Sequence, residues 1–275
     1  MSDIIKNPYF NPQPQQENSI PMPTFEPEIS EVEGAPKAEP EKGFTSIIMP
    51  VYLIHYPAFH YTGTAIGAIR EHTDKEKTPY ELILVLNGTK ETIKFDNLQQ
   101  TNADKIIENE ENLGYAKAVN QGIRVARGEY IAIINNDTQV YNYWLEDLQE
   151  SLQKVDLIMS TPMYGMPFAR AQEAYKLRDK TLGKSIEETF SEFRDFSCVL
   201  TRKEMFNKIG LFNEEFFMYG EDLDLLRRMD QAGLKYASTK RVNHHHIIGA
   251  TSSSIQDSPD IMNKSKELLR SIWGY

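Results

Sequence analysis

Three continuous apolar runs, Phe44–Met49, Tyr80–Leu86 and Tyr130–Ile134, do most to restrict what this chain can fold into. None alternates apolar with polar residues, so each reads as a strand buried on both faces. Helical patterns separate them: Ala65–His72 between the first two, and Tyr115–Arg127, with Ala116, Val119, Ile123 and Ala126 on one face, before the third. Ala103–Glu108 adds a short strand. Strands alternating with helices predict an α/β fold, a parallel sheet covered by helices on both faces. Ligands of such sheets collect at the carboxyl ends of the strands. That rule gathers Pro50–Tyr52, Asn87–Gly88 and Asn135–Asp137 around one crevice.

The second half is less regular. Helices are expected at Leu145–Lys154, Lys203–Ile209, Leu223–Ala232 and Ile261–Trp273, and strands at Asp156–Ser160, Phe196–Leu200 and from Tyr236. The polar segment Ala171–Glu192 reads as mostly helical with a break at Gly183. Residues 1–43 differ sharply from the rest of the chain. They hold eight of the fourteen prolines, few aliphatic residues and half of the net charge of −10. Such a segment cannot bury enough apolar surface to offset its ordering entropy, so it reads as a disordered tail, passive or tethering a partner through Pro8-Tyr9-Phe10 and Phe25.

Composition narrows the class of protein. A hydrophobic fraction of 40% and a charged fraction of 25% are ordinary for a globular domain. The one cysteine, Cys198, excludes an internal disulfide framework. No apolar run approaches the ~20 residues that span a bilayer, and no secretory signal is visible, so the expectation is a cytoplasmic protein. An acidic chain without a basic stripe argues against general nucleic-acid binding.

Chemistry concentrates in four places. Phe212-Asn213-Glu214-Glu215-Phe216-Phe217-Met218-Tyr219-Gly220 leads directly into Glu221, Asp222 and Asp224, and carboxylates against an aromatic wall can be tuned as bases by desolvation and mutual repulsion. Asn135-Asn136-Asp137-Thr138 follows a buried strand, where a carboxylate can hold a hard divalent cation that also takes phosphate oxygens, although Asn and Asp are common loop residues too. His244-His245-His246 cannot all point one way if extended, which leaves one or two as ligands, and the following Ile247-Ile248-Gly249-Ala250 suggests a packed loop. Imidazole favours Mn²⁺ over Mg²⁺. Asn112-Leu113-Gly114-Tyr115 opens a helix whose N–H groups suit an anion, or Asn112 is simply its cap.

Taken in order, these blocks resemble family 2 glycosyltransferases, in particular the rhamnosyltransferase-like branch. Ser46-Ile47-Ile48-Met49-Pro50-Val51-Tyr52 is similar to the family's opening strand and nucleotide loop. Asn112-Leu113-Gly114-Tyr115-Ala116-Lys117-Ala118-Val119-Asn120-Gln121-Gly122 is close to its N-x-G-x-A-x-A-x-N-x-G helix. Asn135-Asn136-Asp137 takes the D-x-D position, and Gly210–Leu225 with Arg228, Gly233 and His246 matches the acceptor-side block.

The resemblance covers residues 44–255 and implies a GT-A fold: a Rossmann-like, mostly parallel sheet flanked by helices, with a nucleotide-sugar half (44–140) and an acceptor half (141–275). It further implies an inverting, metal-dependent transfer from a nucleotide-diphosphate sugar to an acceptor hydroxyl, most readily a glycan, with protein or a modified nucleic-acid base also open. Asp222 matches the catalytic base, with Glu221 beside it. Asp137 and His246 match ligands of a divalent Mn²⁺ or Mg²⁺. Pro50, Tyr52, Asn87, Asn112, Gly114, Asn120, Asn136 and Asp137 fall on the donor pocket. Two positions depart from the pattern: Leu86 stands where the family usually carries a nucleobase-contacting Asp, and Asn135 replaces the first Asp of D-x-D. A non-catalytic nucleotide-sugar or glycan-binding module on the same fold is the alternative, disfavoured by the joint presence of Asp222, Asp137 and His246.

Overall fold

The computed structural model describes residues 39–53, 56–88, 101–164, 170–247 and 258–274. The expected tail therefore lies outside the described residues up to position 38, as do residues 248–251 after the histidine triplet. Four strands, β1 (Glu41–Val51), β2 (Tyr80–Asn87), β3 (Lys105–Asn109) and β4 (Gly128–Ile134), pair in parallel in the order β3-β2-β1-β4. β1 starts three residues before its apolar run because Glu41 already pairs with Gly128. Helices α1 (Tyr56–His72) and α2 (Tyr115–Val125) cross over between these strands.

Side chains alternate across a strand, and here both sets are buried. Ile47, Met49, Leu82, Leu84, Ala132 and Ile134 face α1 and the later helix α3 (Trp144–Ser151). Ile48, Ile83, Val85, Ile131 and Ile133 face α2, α5 (Lys203–Ile209) and α6 (Glu221–Gln231). The runs are unbroken because neither face meets water. Leu86 belongs to the first of these cores.

The same sheet continues through the second half as β4-β8-β6-β9-β5, where β8 (Cys198–Arg202) runs antiparallel to β4 and to β6 (Leu157–Met163). β9 (Tyr236–His246) lies parallel to β6 and carries two short antiparallel partners, β5 (Thr138–Gln139) and β7 (Phe190–Ser191). The segment expected to be mostly helical holds only α4 (Arg170–Asp179) and a single turn at Glu187–Thr189. The histidine triplet ends β9 rather than forming a loop. The β5–β9 register sets Thr138 opposite His246, which brings the preceding Asp137 beside that histidine. α7 (Ser258–Trp273) closes on α6: Trp273 Nε1 donates to Asp224 Oδ1 (3.1 Å) and Ser265 Oγ to the Met218 carbonyl (2.9 Å).

Gly122 fixes how closely α2 lies on β1. A Cβ there would sit 2.4 Å from Ile48 Cγ2, inside the core. Gly122→Ala is therefore expected to destabilise the protein by about 1–3 kcal/mol from overpacking, despite the ~1 kcal/mol better helix propensity of alanine. Urea unfolding measures this; equal or greater stability would show that Ile48 yields freely.

Candidate active site

The carboxyl ends of β1, β2 and β4 open into a cleft of about 410 Å³, within the usual range for small-ligand sites. Of the residues expected at the donor and catalytic sites, Pro50, Tyr52, Asn87, Asn112 and Gly114 line its first side. Asn136, Asp137, Glu221, Asp222 and His246 line the other. Asn120 does not reach it. Its amide nitrogen donates to the Phe212 carbonyl and to Glu214 Oε1 (both 2.9 Å), and its oxygen accepts from Phe212 N–H (3.1 Å). The side chain expected at the donor pocket is instead consumed in tying α2 to the aromatic–acidic segment.

Asn87 organises the first side. Its Nδ2 donates to Asn112 Oδ1 (2.8 Å) and the Gly114 carbonyl (3.1 Å), while its Oδ1 accepts from Leu113 N–H (3.0 Å) and Asn109 Nδ2 (3.1 Å). An amide so fully engaged holds the loop rather than reading a ligand. Tyr52 lies across the end of β2 because Gly88 has no side chain: a Cβ there would be 2.9 Å from its ring.

At Gly114 (φ 89°) α2 meets the acidic segment backbone to backbone. A Cβ would stand 2.5 Å from the Phe217 carbonyl oxygen, which accepts from Tyr115 N–H at 2.6 Å. The Tyr115 hydroxyl donates to Asn135 Oδ1 (3.2 Å). Burial, then the surrounding Glu221, Asp222, Asp195 and Asp137, push its phenol well above the usual range, so it stays a neutral donor among carboxylates.

Tyr219 (φ 71°) and Gly220 (φ 91°) turn the chain through two successive left-handed residues into α6. Glu221 and Asp222 thus occupy the helix start, where amide N–H groups and the helix dipole favour negative charge. Leu223 N–H donates to Asp222 Oδ1 (2.8 Å). Burial raises both carboxyls; Glu221, pushed further by Asp222, reaches about 8. The backbone donors stabilise the anion on Asp222, so the pair's charge belongs there. Asp224 points away into the protein and pairs with Arg228 (2.9 Å).

In the same lining, His246 Nε2 lies 3.4 Å from Asp137 Oδ1, and its Nδ1 lies 3.7 Å from Asp195 Oδ2. Burial disfavours the imidazolium, but the two carboxylates outweigh it and raise His246 to about 10. Burial would likewise raise Asp195, yet His246, His244 and Ser197 hold it well below the usual carboxylate range. Carboxylate oxygens around an imidazole suit a divalent cation such as Mn²⁺, which would displace the imidazolium proton.

His244 also lies within 4.8 Å of Asp195 and His246, but both its ring nitrogens are engaged, with Ser160 Oγ (2.6 Å) and Ser197 Oγ (2.7 Å). Fully buried and pushed down to about 3 by that burial, it is a neutral support. His245 faces the opposite side of the strand. Asp195 carried no signal in the sequence. It enters through Ser197, whose N–H (2.8 Å) and hydroxyl both donate to its Oδ1.

With this geometry established, similarity to known proteins is specific. The model of Glycosyl transferase family 2 matches residues 46–210. The O-antigen biosynthesis protein RfbC of Myxococcus xanthus is 24% identical over 205 residues, which is 65% of this chain but only 16% of that relative. GalNAc-T7, solved with UDP, GalNAc and Mn²⁺, shares the fold at a TM-score of 0.59 and 16% identity, over 84% of this chain and 48% of that one. S. aureus TarS 1–349 with UDP-GlcNAc does so at 0.55 and 15% identity, over 83% and 66%. The fold is GT-A, as the strand order and these neighbours show. Because the family match runs from β1 to the glycine that ends α5, more than half of the sequence, the chain belongs to glycosyl transferase family 2.

Proposed function

We propose that this chain transfers a sugar from a nucleotide-diphosphate donor to an acceptor hydroxyl, with inversion at the anomeric carbon. The observation that carries the reading is one cleft holding both a desolvated carboxylate at a helix start and an Asp–His–Asp cluster fit for a divalent cation. Solved relatives of the same fold bind UDP and UDP-GlcNAc, which supports a nucleotide-sugar as donor.

Asp222 accepts the acceptor proton during attack, since a sugar hydroxyl is a poor nucleophile until a base removes it. A single displacement by that hydroxyl inverts the anomeric centre. Asp137 and His246, with Asp195 behind them, would hold Mn²⁺ or Mg²⁺. Bound there, such an ion would supply positive charge to neutralise the leaving diphosphate. Tyr52 and Asn112 line the part of the cleft that would take the nucleoside, whereas Asn87 is spent on its loop and Leu86 is in the core. Among the described residues no helix is long and apolar enough to cross a membrane.

Titration of UDP in Mn²⁺ tests the cluster. Asp137→Ala should weaken UDP binding by ~10-fold or more and abolish its sensitivity to EDTA. Wild-type affinity that is the same with and without EDTA would overturn the metal assignment.

A further inference from the structure

Tyr219 and Gly220, two successive left-handed residues, lead the chain into the first turn of α6 and so bring Asp222 to the cleft. A bulky side chain at positive φ is strained, and it persists only where its surroundings fix it. Two helices supply that fixing. From α2, Tyr115 N–H donates to the Phe217 carbonyl (2.6 Å). From α7, Ser265 Oγ donates to the Met218 carbonyl (2.9 Å), which belongs to the peptide that enters Tyr219. Leu269, one helical turn further along α7, packs on Gly220 itself: a Cβ there would stand 3.1 Å from its Cδ1.

The rest of α7 is lightly packed. Ser265 and Leu269 are the only buried residues among those described in α7, and Leu269 belongs to none of the apolar core clusters. A helix docked for global stability would bury a broad apolar stripe in a core. This one places its buried contacts on a single turn beside the cleft, and its bond from Trp273 to Asp224 (3.1 Å) also falls on the first turn of α6. Neither Ser265 nor Leu269 lines the described cleft. Resting on the proposed transfer reaction, we propose that Ser265 and Leu269 are positioning residues for Asp222. They hold the Met218–Gly220 backbone in its strained form and so keep the carboxylate where it meets the acceptor proton. Without them, Tyr219 relaxes toward an ordinary negative φ and the start of α6 turns away from the attacking hydroxyl.

The test reads turnover and local exchange on the same variants. Turnover is nucleotide release from UDP-GlcNAc, UDP-glucose, UDP-galactose and dTDP-rhamnose, to water and to methyl glycosides. Ser265→Ala and Leu269→Ala should each lower kcat by ~10-fold, within the ~100-fold that a small misplacement of a reacting group can cost. UDP affinity should stay near wild type in both, and Tm should stay near wild type in Ser265→Ala, because the donor side and the cores are untouched. Ser265→Thr, which keeps the hydroxyl, should restore kcat. In Ser265→Ala the amides from Tyr219 to Leu223 should exchange with deuterium ~10-fold faster, while those of β1, β2 and β4 keep their wild-type rates. Native kcat in either alanine variant overturns this inference alone. So does a fall in UDP affinity that matches the fall in kcat, a Ser265→Thr variant no better than Ser265→Ala, or wild-type exchange in the turn. No release by wild type from any donor, with or without acceptor, overturns the transfer reading and this inference together.

Discussion

Asp222→Asn is expected to lower kcat by ~10²–10⁴-fold, the usual contribution of a positioned general base, while UDP affinity stays near wild type. The pH dependence separates loss of the base from loss of the fold. Glu221 and Asp222 titrate as a pair, so wild-type kcat/KM should rise with pH as the pair loses its first proton and Asp222 becomes the ionised member. That limb should be missing in the variant. Stability should move the other way. Glu221 is held at about 8 against an ordinary 4.5, so its contribution to folding is complete below 4.5 and is lost as pH rises through about 8. Removing the neighbouring carboxylate relieves part of that loss, and Asp222→Asn should therefore melt higher than wild type at alkaline pH. A variant that turns over at the native rate would remove Asp222 from the chemistry.

How far the sequence foretold this site depends on how local each signal is. The strands β1, β2 and β4 were legible because each is a run of residues buried on both faces, which no other element of that length explains. α5 was legible to the residue because Gly210 stops it with a left-handed turn at φ 78°. β5 and β7, two residues each, are too short to carry a period, yet β5 is what brings Asp137 to His246. Asp195, Ser160 and His244 come from the approach to β8, from β6 and from β9. Only the order β8-β6-β9 makes them neighbours, and no spacing in the chain announces it. Asn120 failed for a related reason. Its motif position is real, but the segment around Phe212 and Glu214 takes its hydrogen bonds before any ligand could.

Arg228→Ala is expected to cost about 3–5 kcal/mol, the usual penalty for leaving a buried charge without its partner. Asp224 is 1% exposed, and the Arg228 guanidinium meets its Oδ2 through Nε and a terminal nitrogen, each at 2.9 Å. The same guanidinium donates to the Ile209 carbonyl (2.6 Å), fastening α6 to the end of α5. Without it, Asp224 retains the Trp273 indole as donor but no counter-charge. For a domain of this size the loss should appear as a fall in Tm on the order of 10 °C. Replacing both members, Asp224→Leu with Arg228→Met, should recover much of it, because an apolar pair has no charge to desolvate. Activity should follow stability, since the start of α6 carries Glu221 and Asp222 and small misplacements of a base are costly. Thermal melts and urea titrations of the two variants decide the matter. If Arg228→Ala unfolds within ~1 kcal/mol of wild type, the pair does not hold α6 in place.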